Sequence, residues 1–257
     1  MFTGIAFLLG VAATKAVEPL PADMVGTWEV AHVAVNMADQ PRWNYRPEDP
    51  SLIGRELVVG ADQIRFADFK ENHCEPATWK RESWTWKQLV DGVFLGLKAP
   101  ETPAEWRIKS PPKGKMAVHI PCAHSKTWQT EVWLLPVGPD RAIMELDFDT
   151  VLFLVRRKAD ERPKPSFSCA KSSTPTEKAI CESFVLAGWD RSVSLAWRRA
   201  QAAGIIDSVD EQKAWLSTRD KCGGDAACLE RTMQQRTDEL CQRWVSGRVK
   251  FEGVSGR

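Results

Sequence analysis

One tyrosine and four histidines stand in 257 residues, beside twelve tryptophans. So few histidines leave little material for acid–base chemistry near neutral pH, and none sits in a recognisable triad. No G-x-S-x-G, H-E-x-x-H, phosphate-binding glycine loop or C-x-x-C redox pair occurs. The sequence therefore nominates no catalytic residue and no cofactor. Carboxylates are plentiful, but sequence alone does not bring two of them across a cleft. An excess of charge of one sign is also missing: 35 Lys and Arg face 34 Asp and Glu, for a net charge of +1. That balance argues against nucleic acid and against an anionic membrane surface as partners. After the first sixteen residues no long apolar run follows, so no membrane span is expected in the mature chain.

What is present begins with MFTGIAFLLGVAATKA. Phe2 to Ala13 carries no charge, and Thr14-Lys15-Ala16 supplies a small-x-small site. The run is short for a bilayer span and has the grammar of a secretory signal, 1–16, removed on export. Removing Lys15 with it would leave 34 basic residues against 34 acidic ones. The expected location is periplasmic or secreted.

An exported chain meets an oxidising compartment, where paired cysteines become disulfides. Cys222 and Cys228 flank a Gly-Gly turn and read as a staple, worth roughly 2 kcal/mol in the loop-entropy model. Cys74–Cys122 is expected in the first half. Cys169–Cys181 is expected in the second, because a helix start at Thr174 turns the chain between them. Cys241 is left odd, and other pairings of the five C-terminal cysteines stay open. His73-Cys74 with Cys122-x-His124 also contains the donors of a Cys₂His₂ zinc site. The disulfide is preferred, because exported thiols oxidise and the spacing matches no known knuckle, so no metal is assigned.

The two halves have different grammars. Met24 to Lys158 alternates in short runs, among them VGTWEVAHV, GRELVV, DQIRFA, SWTWKQL, EWRIK, MAVHIPC, TWQTEVWLL, AIMELDF and TVLFLVRR. Eight or nine strands punctuated by Gly, Pro, Asp and Asn indicate an antiparallel β-barrel or sandwich over 24–158. Ile64 and Phe66 share one face, as do Trp84 and Trp86, and Met144, Leu146 and Phe148. His32, two residues from Val30 and four from Trp28, shares their face if the alternation holds. Asn36–Ser51 reads as a long loop over one end.

Ala159–Pro165 is a linker by composition. Helical grammar follows over 166–246. Thr174-Pro-Thr-Glu177 is a capping box with proline at the first helical position. Leu186, Trp189, Val193, Trp197 and Ala200 form an amphipathic stripe, ended by Gly204. Ser208-Val-Asp-Glu211 reads as a second capping box. Asp225 caps a last helix that carries Leu229, Met233, Leu240 and Trp244 on one face. The fold class is thus α+β in two domains, a barrel followed by a disulfide-stapled helical bundle. A fragment from Ser166 onward is expected to fold if its disulfides form.

The helical half resembles the LprI-type lysozyme-inhibitor domain. The residues that carry the likeness are Ser168-Cys169, Thr174-Pro-Thr-Glu-Lys-Ala-Ile-Cys181, Asp190 with Leu195, Trp215-Leu216, Arg219-Asp220-x-Cys222 and Cys228-Leu229. It covers about 166–244 and departs from the pattern at Trp197, where such domains commonly have tyrosine, and at the extra Cys241. The resemblance implies an exported protein that binds and inhibits lysozyme. In the first half, Gly26-Thr27-Trp28 with Arg156 and Arg157 is similar to the lipocalin pattern, in which a tryptophan at the barrel mouth packs under a basic side chain.

Trp215, Arg219, Asp220 and Lys221 are the candidate partner-binding residues. Trp215 and Arg219 are four apart on a helix, within cation–π reach. The three charged residues form either a tip that enters a lysozyme cleft or a salt-bridged corner of the bundle, and the adjacent staple favours the corner. The expected function is binding without chemistry: inhibition of a lysozyme or related peptidoglycan hydrolase by cleft occlusion. The alternatives are an envelope ligand-binding protein that uses the barrel, and an immunity protein against a secreted toxin.

Overall fold

The computed structural model describes residues 19–35, 45–68, 73–76, 78–83, 116–124, 131–147, 150–206 and 208–252. The signal segment, SWTWKQL beyond Ser83, EWRIK and Phe148 lie outside them.

Among the described residues nine strands precede four helices. The strands are β1 (Gly26–Val35), β2 (Glu56–Val59), β3 (Ile64–Phe66), β4 (His73–Pro76), β5 (Lys80–Ser83), β6 (Met116–His124), β7 (Glu131–Gly138), β8 (Arg141–Asp147) and β9 (Thr150–Arg156). All pairings are antiparallel; most join neighbours in sequence, β4 pairs with β6, and β1–β9 joins the ends of the meander. Both β4 and β5 run along β6, where Pro76 faces Cys122 and Lys80 faces His119. They are successive parts of one stave, so the sheet closes as an eight-stranded antiparallel barrel.

Period-two alternation fills the interior. Trp28, Val30, Leu57, Ile64, Phe66, Val118, Leu134, Met144, Leu152 and Leu154 are all buried in one cluster. His32 does not join it. A register shift between Val30 and His32 inserts one residue, so Val33 and Val35 turn inward instead. An inserted residue reverses the faces of everything beyond it, and His32 packs against Glu48 and the Phe153 ring on the other side. KRES of β5 carries no apolar alternation, and HCEP of β4 alternates only through Cys74 and Pro76. β5 owes its strand state to pairing with β6, and β4 to pairing with β3 and β6 and to Cys74, which is buried and bonded to Cys122.

The helices are α1 (Pro175–Glu182), α2 (Phe184–Ala202), α3 (Val209–Arg219) and α4 (Ala226–Glu252). The Thr174 box forms in full: the Thr174 hydroxyl accepts from Glu177 N, and Glu177 reaches back to the Thr174 and Ser173 amides. Those backbone donors, Thr174 first, hold the Glu177 carboxyl down to about 2. The second box forms by half. Ser208 accepts from Asp210 N, but Glu211 turns away to Arg236 and Arg243 on α4. Two charge-assisted bonds to guanidinium groups outweigh one to a backbone amide. The stripe of α2 is buried, with Leu186, Trp189 and Val193 against Leu229 and Met233, and Trp197 and Ala200 against Leu240.

The helical half is docked on the barrel. The connection from β1 to β2 passes under α2, where Gly188 meets Gly54 backbone to backbone. The Arg55 side chain rises from this connection into the seam, 3.4 Å from the Trp189 ring, and bonds Ser192 Oγ at 2.9 Å. Ser192 in turn donates to the Ile53 carbonyl. Arg191 links Glu29 of β1 to the Lys164 carbonyl of the 159–165 segment, and Arg157 lies over the Phe184 ring. A Cβ on Gly188 would fall against the Gly54 carbonyl oxygen. Gly188→Ala is therefore expected to cost about 2 kcal/mol in urea unfolding through overpacking at this crossing. An unchanged midpoint would show that the crossing is loose.

Candidate functional site

Two places combine the sequence signals with an unusual local build. The first is the foot of the barrel. The Trp28 ring is buried, its Nε1 donates to the Met24 carbonyl at 2.9 Å, and the Arg156 guanidinium lies 4.0 Å from its centroid. Arg156 also donates to the carbonyls of Val25 and Asp23. Gly26, at φ +147°, leaves room for that guanidinium, since a Cβ there would sit 2.5 Å from Arg156 Nη1. The arrangement closes this end of the barrel with a cation on an aromatic face. Arg157 points elsewhere, to Glu29 and Glu56.

The second is the turn between α3 and α4. A single 3₁₀ turn, Asp220–Cys222, leaves α3, and Gly223 takes φ +58°, in the positive range that favours glycine. Asp225 accepts from Cys228 N at 3.0 Å and so caps α4. Cys222–Cys228 closes the loop. From α1, the Thr176 hydroxyl donates to the Gly223 carbonyl at 2.9 Å, which pins the turn to the first helix. Cys169–Cys181 ties the entry segment to α1. The result is a short loop fixed at both feet and from behind. Its outer residues Asp220, Lys221, Gly224, Asp225, Ala226 and Ala227 are all exposed.

The four partner-binding candidates divide here. Arg219 is only 7% exposed. Its Nε and Nη2 donate to Asp220 Oδ1 at 2.9 and 2.7 Å, and Nη1 lies 3.7 Å from Asp190 Oδ1 on α2. Asp190 is itself buried and accepts from Ser166 N. Trp215 packs against the bundle core, with the Arg219 guanidinium 5.7 Å from its ring. Arg219 and Trp215 thus form the base of the corner, while Asp220 and Lys221 face solvent. Sequence reasoning did not find Thr176. Its only signal is a threonine in the first turn of α1, where a hydroxyl that reaches another segment looks like any other helix threonine.

Cys74 and Cys122 are bonded to each other, so neither thiolate is free for zinc, and His73 lies beside Glu75. Among the described residues no group of three or more His, Cys, Asp or Glu is placed to hold a metal ion. None of the described helices is long and apolar enough to cross a membrane. Comparison with family models, with curated proteins and with solved structures returns no match for this chain.

Proposed function

We propose that the chain is an exported two-domain protein that inhibits a lysozyme or related peptidoglycan hydrolase by plugging its cleft with the Asp220–Ala227 turn. The observation that carries this reading is the build of that turn. It is exposed, closed by a disulfide and held from behind by Thr176. A loop held in one shape before binding loses little conformational entropy on docking, which is how a small contact gains affinity. The LprI-type pattern of the sequence falls on the same corner. Three disulfides fit an oxidising compartment, and with it a periplasmic or secreted location. The arginine stacked on Trp28 supports a lipocalin-like reading of the barrel. The filling of the described interior by side chains favours a surface role over a ligand held inside.

The test is a turbidity assay of several lysozyme classes with the purified protein and two variants. Lys221→Glu alters only the exposed tip, so inhibition should fall at least about tenfold, the equivalent of about 1.4 kcal/mol, with an unchanged melting temperature. Arg219→Ala removes charge-assisted bonds at the base and should cost about 2 kcal/mol of stability. A wild-type protein that inhibits none of the lysozymes would reject the reading. So would equal inhibition by Lys221→Glu.

A further inference from the structure

A cleft of about 230 Å³ opens along the seam, between the β1–β2 connection and helices α2 and α4. It is unrelated to the stapled turn. Four charges line it, two of each sign: Arg46 and Asp49 from the connection, Arg199 from α2 and Asp238 from α4. Cys241 lines the same cleft, and all four charges act electrostatically on its thiol. Burial, and then the Asp49 carboxylate, push that thiol up to about 12, so it stays protonated.

The four charges are not equally available. Asp49 is committed to its own turn, accepting from Ser51 N and Oγ and from Arg46 N. The Arg46 guanidinium lies 4.3 Å from the Trp244 ring centroid. Arg199 uses Nη1 on the Pro47 and Glu48 carbonyls, which leaves donors of its five-donor fork. Asp238 has no cation within ion-pair distance among the described residues. Asp238 is exposed to solvent, and partial burial of its carboxyl, then Asp49, raise it above the usual range. A purely anionic ligand would meet Asp49 and Asp238, and a purely cationic one would meet Arg46 and Arg199. The space is smaller than the 300–1,000 Å³ or so of sites for drug-sized ligands.

We propose that this cleft binds a small zwitterion, a free α-amino acid or a dipeptide, with its ammonium on Asp238 and its carboxylate on Arg199. The ligand satisfies the carboxylate that the fold leaves without a cation, and its short body lies along Ala196 and Leu240 beside Cys241.

Calorimetry on the full chain tests this with alanine and alanyl-alanine against N-acetylalanine and alaninamide. The two zwitterions should bind. Blocking either end, or changing Asp238→Asn, should weaken binding roughly tenfold to a hundredfold, the loss of one charge-assisted contact. The variant should melt with the wild type, because Asp238 supports no described bond. Bound zwitterion should also slow alkylation of Cys241, the free cysteine of the described chain. No binding of either zwitterion at millimolar concentration would overturn the proposal, as would equal binding of a blocked form or of the Asp238→Asn protein. Binding that leaves Cys241 labelling unchanged would place the ligand elsewhere and overturn the site.

Discussion

Arg55→Ala should unfold with a loss of about 3–5 kcal/mol at neutral pH, the usual cost of removing one partner from a buried ion pair. Arg55 is fully buried, and its Nη1 sits 2.7 Å from Asp68 Oδ2, whose side chain is 1% exposed. Burial lowers the Arg55 pKa to about 10 and raises that of Asp68, while each partner opposes the other's shift. Without the guanidinium, Asp68 keeps the desolvation penalty and loses the compensation. Its pKa then stands further above the unfolded value of about 3.9. For an acid raised in the fold, the penalty is complete above the folded pKa and disappears below the unfolded one. The deficit of Arg55→Ala should therefore shrink as pH falls from 7 toward about 4. The double variant Arg55→Leu with Asp68→Leu should recover most of the loss, since a buried pair is often replaceable by apolar groups of similar size. Urea unfolding of the wild type and the two variants at two pH values checks this. A single-variant loss under about 1 kcal/mol would show that water reaches Asp68 once the arginine is gone.

The other large effect belongs to the barrel disulfide. Cys74 and Cys122 are 48 residues apart, whereas Cys222 and Cys228 are six apart. In the loop-entropy model the first is worth about 4 kcal/mol and the second about 2. Cys74→Ala with Cys122→Ala should therefore destabilise the protein about twice as much as the same change at the bundle turn. Cys74 is fully buried in the barrel core, and the bond joins β4 to β6 where the barrel closes. Its loss frees the longest cross-linked loop at the point of closure. Equilibrium unfolding of both double variants without reductant decides the order. A larger loss from the bundle turn would mean that native-state effects at that staple exceed the loop term.

Patterns set by near neighbours were legible in the chain. The helical half could be read in this way because its signals are local. Thr174 caps from three residues away, the α2 stripe repeats every three or four, and Cys222 and Cys228 face each other across one turn. The likeness to the lipocalin pattern, carried by Gly26-Thr27-Trp28 with Arg156 and Arg157, implied a ring under a cation, and Arg156 is the one that stacks on Trp28. The three expected disulfides are formed: Cys74–Cys122, argued from export, Cys169–Cys181, argued from the helix start, and Cys222–Cys228, argued from the short turn.

Where a partner distant in sequence decided the outcome, local grammar was silent or wrong. The KRES strand exists because β6 supplies its hydrogen bonds, and HCEP is held between β3 and β6 with only Cys74 and Pro76 to mark its buried face. One inserted residue near Ala31 turned His32 away from the Trp28 face, and nothing near His32 marks the shift. Glu211 left its helix cap for two arginines on α4. The glycine at 188, the burial of Arg55 under Trp189 and the four-charge cleft around Cys241 arise only when the helical half lies on the barrel. Desolvation and packing at such a seam depend on which surfaces meet, and a one-dimensional pattern does not carry that information. Sequence determined the elements and their staples; the tertiary structure decided which charges were buried and which were left facing a cleft.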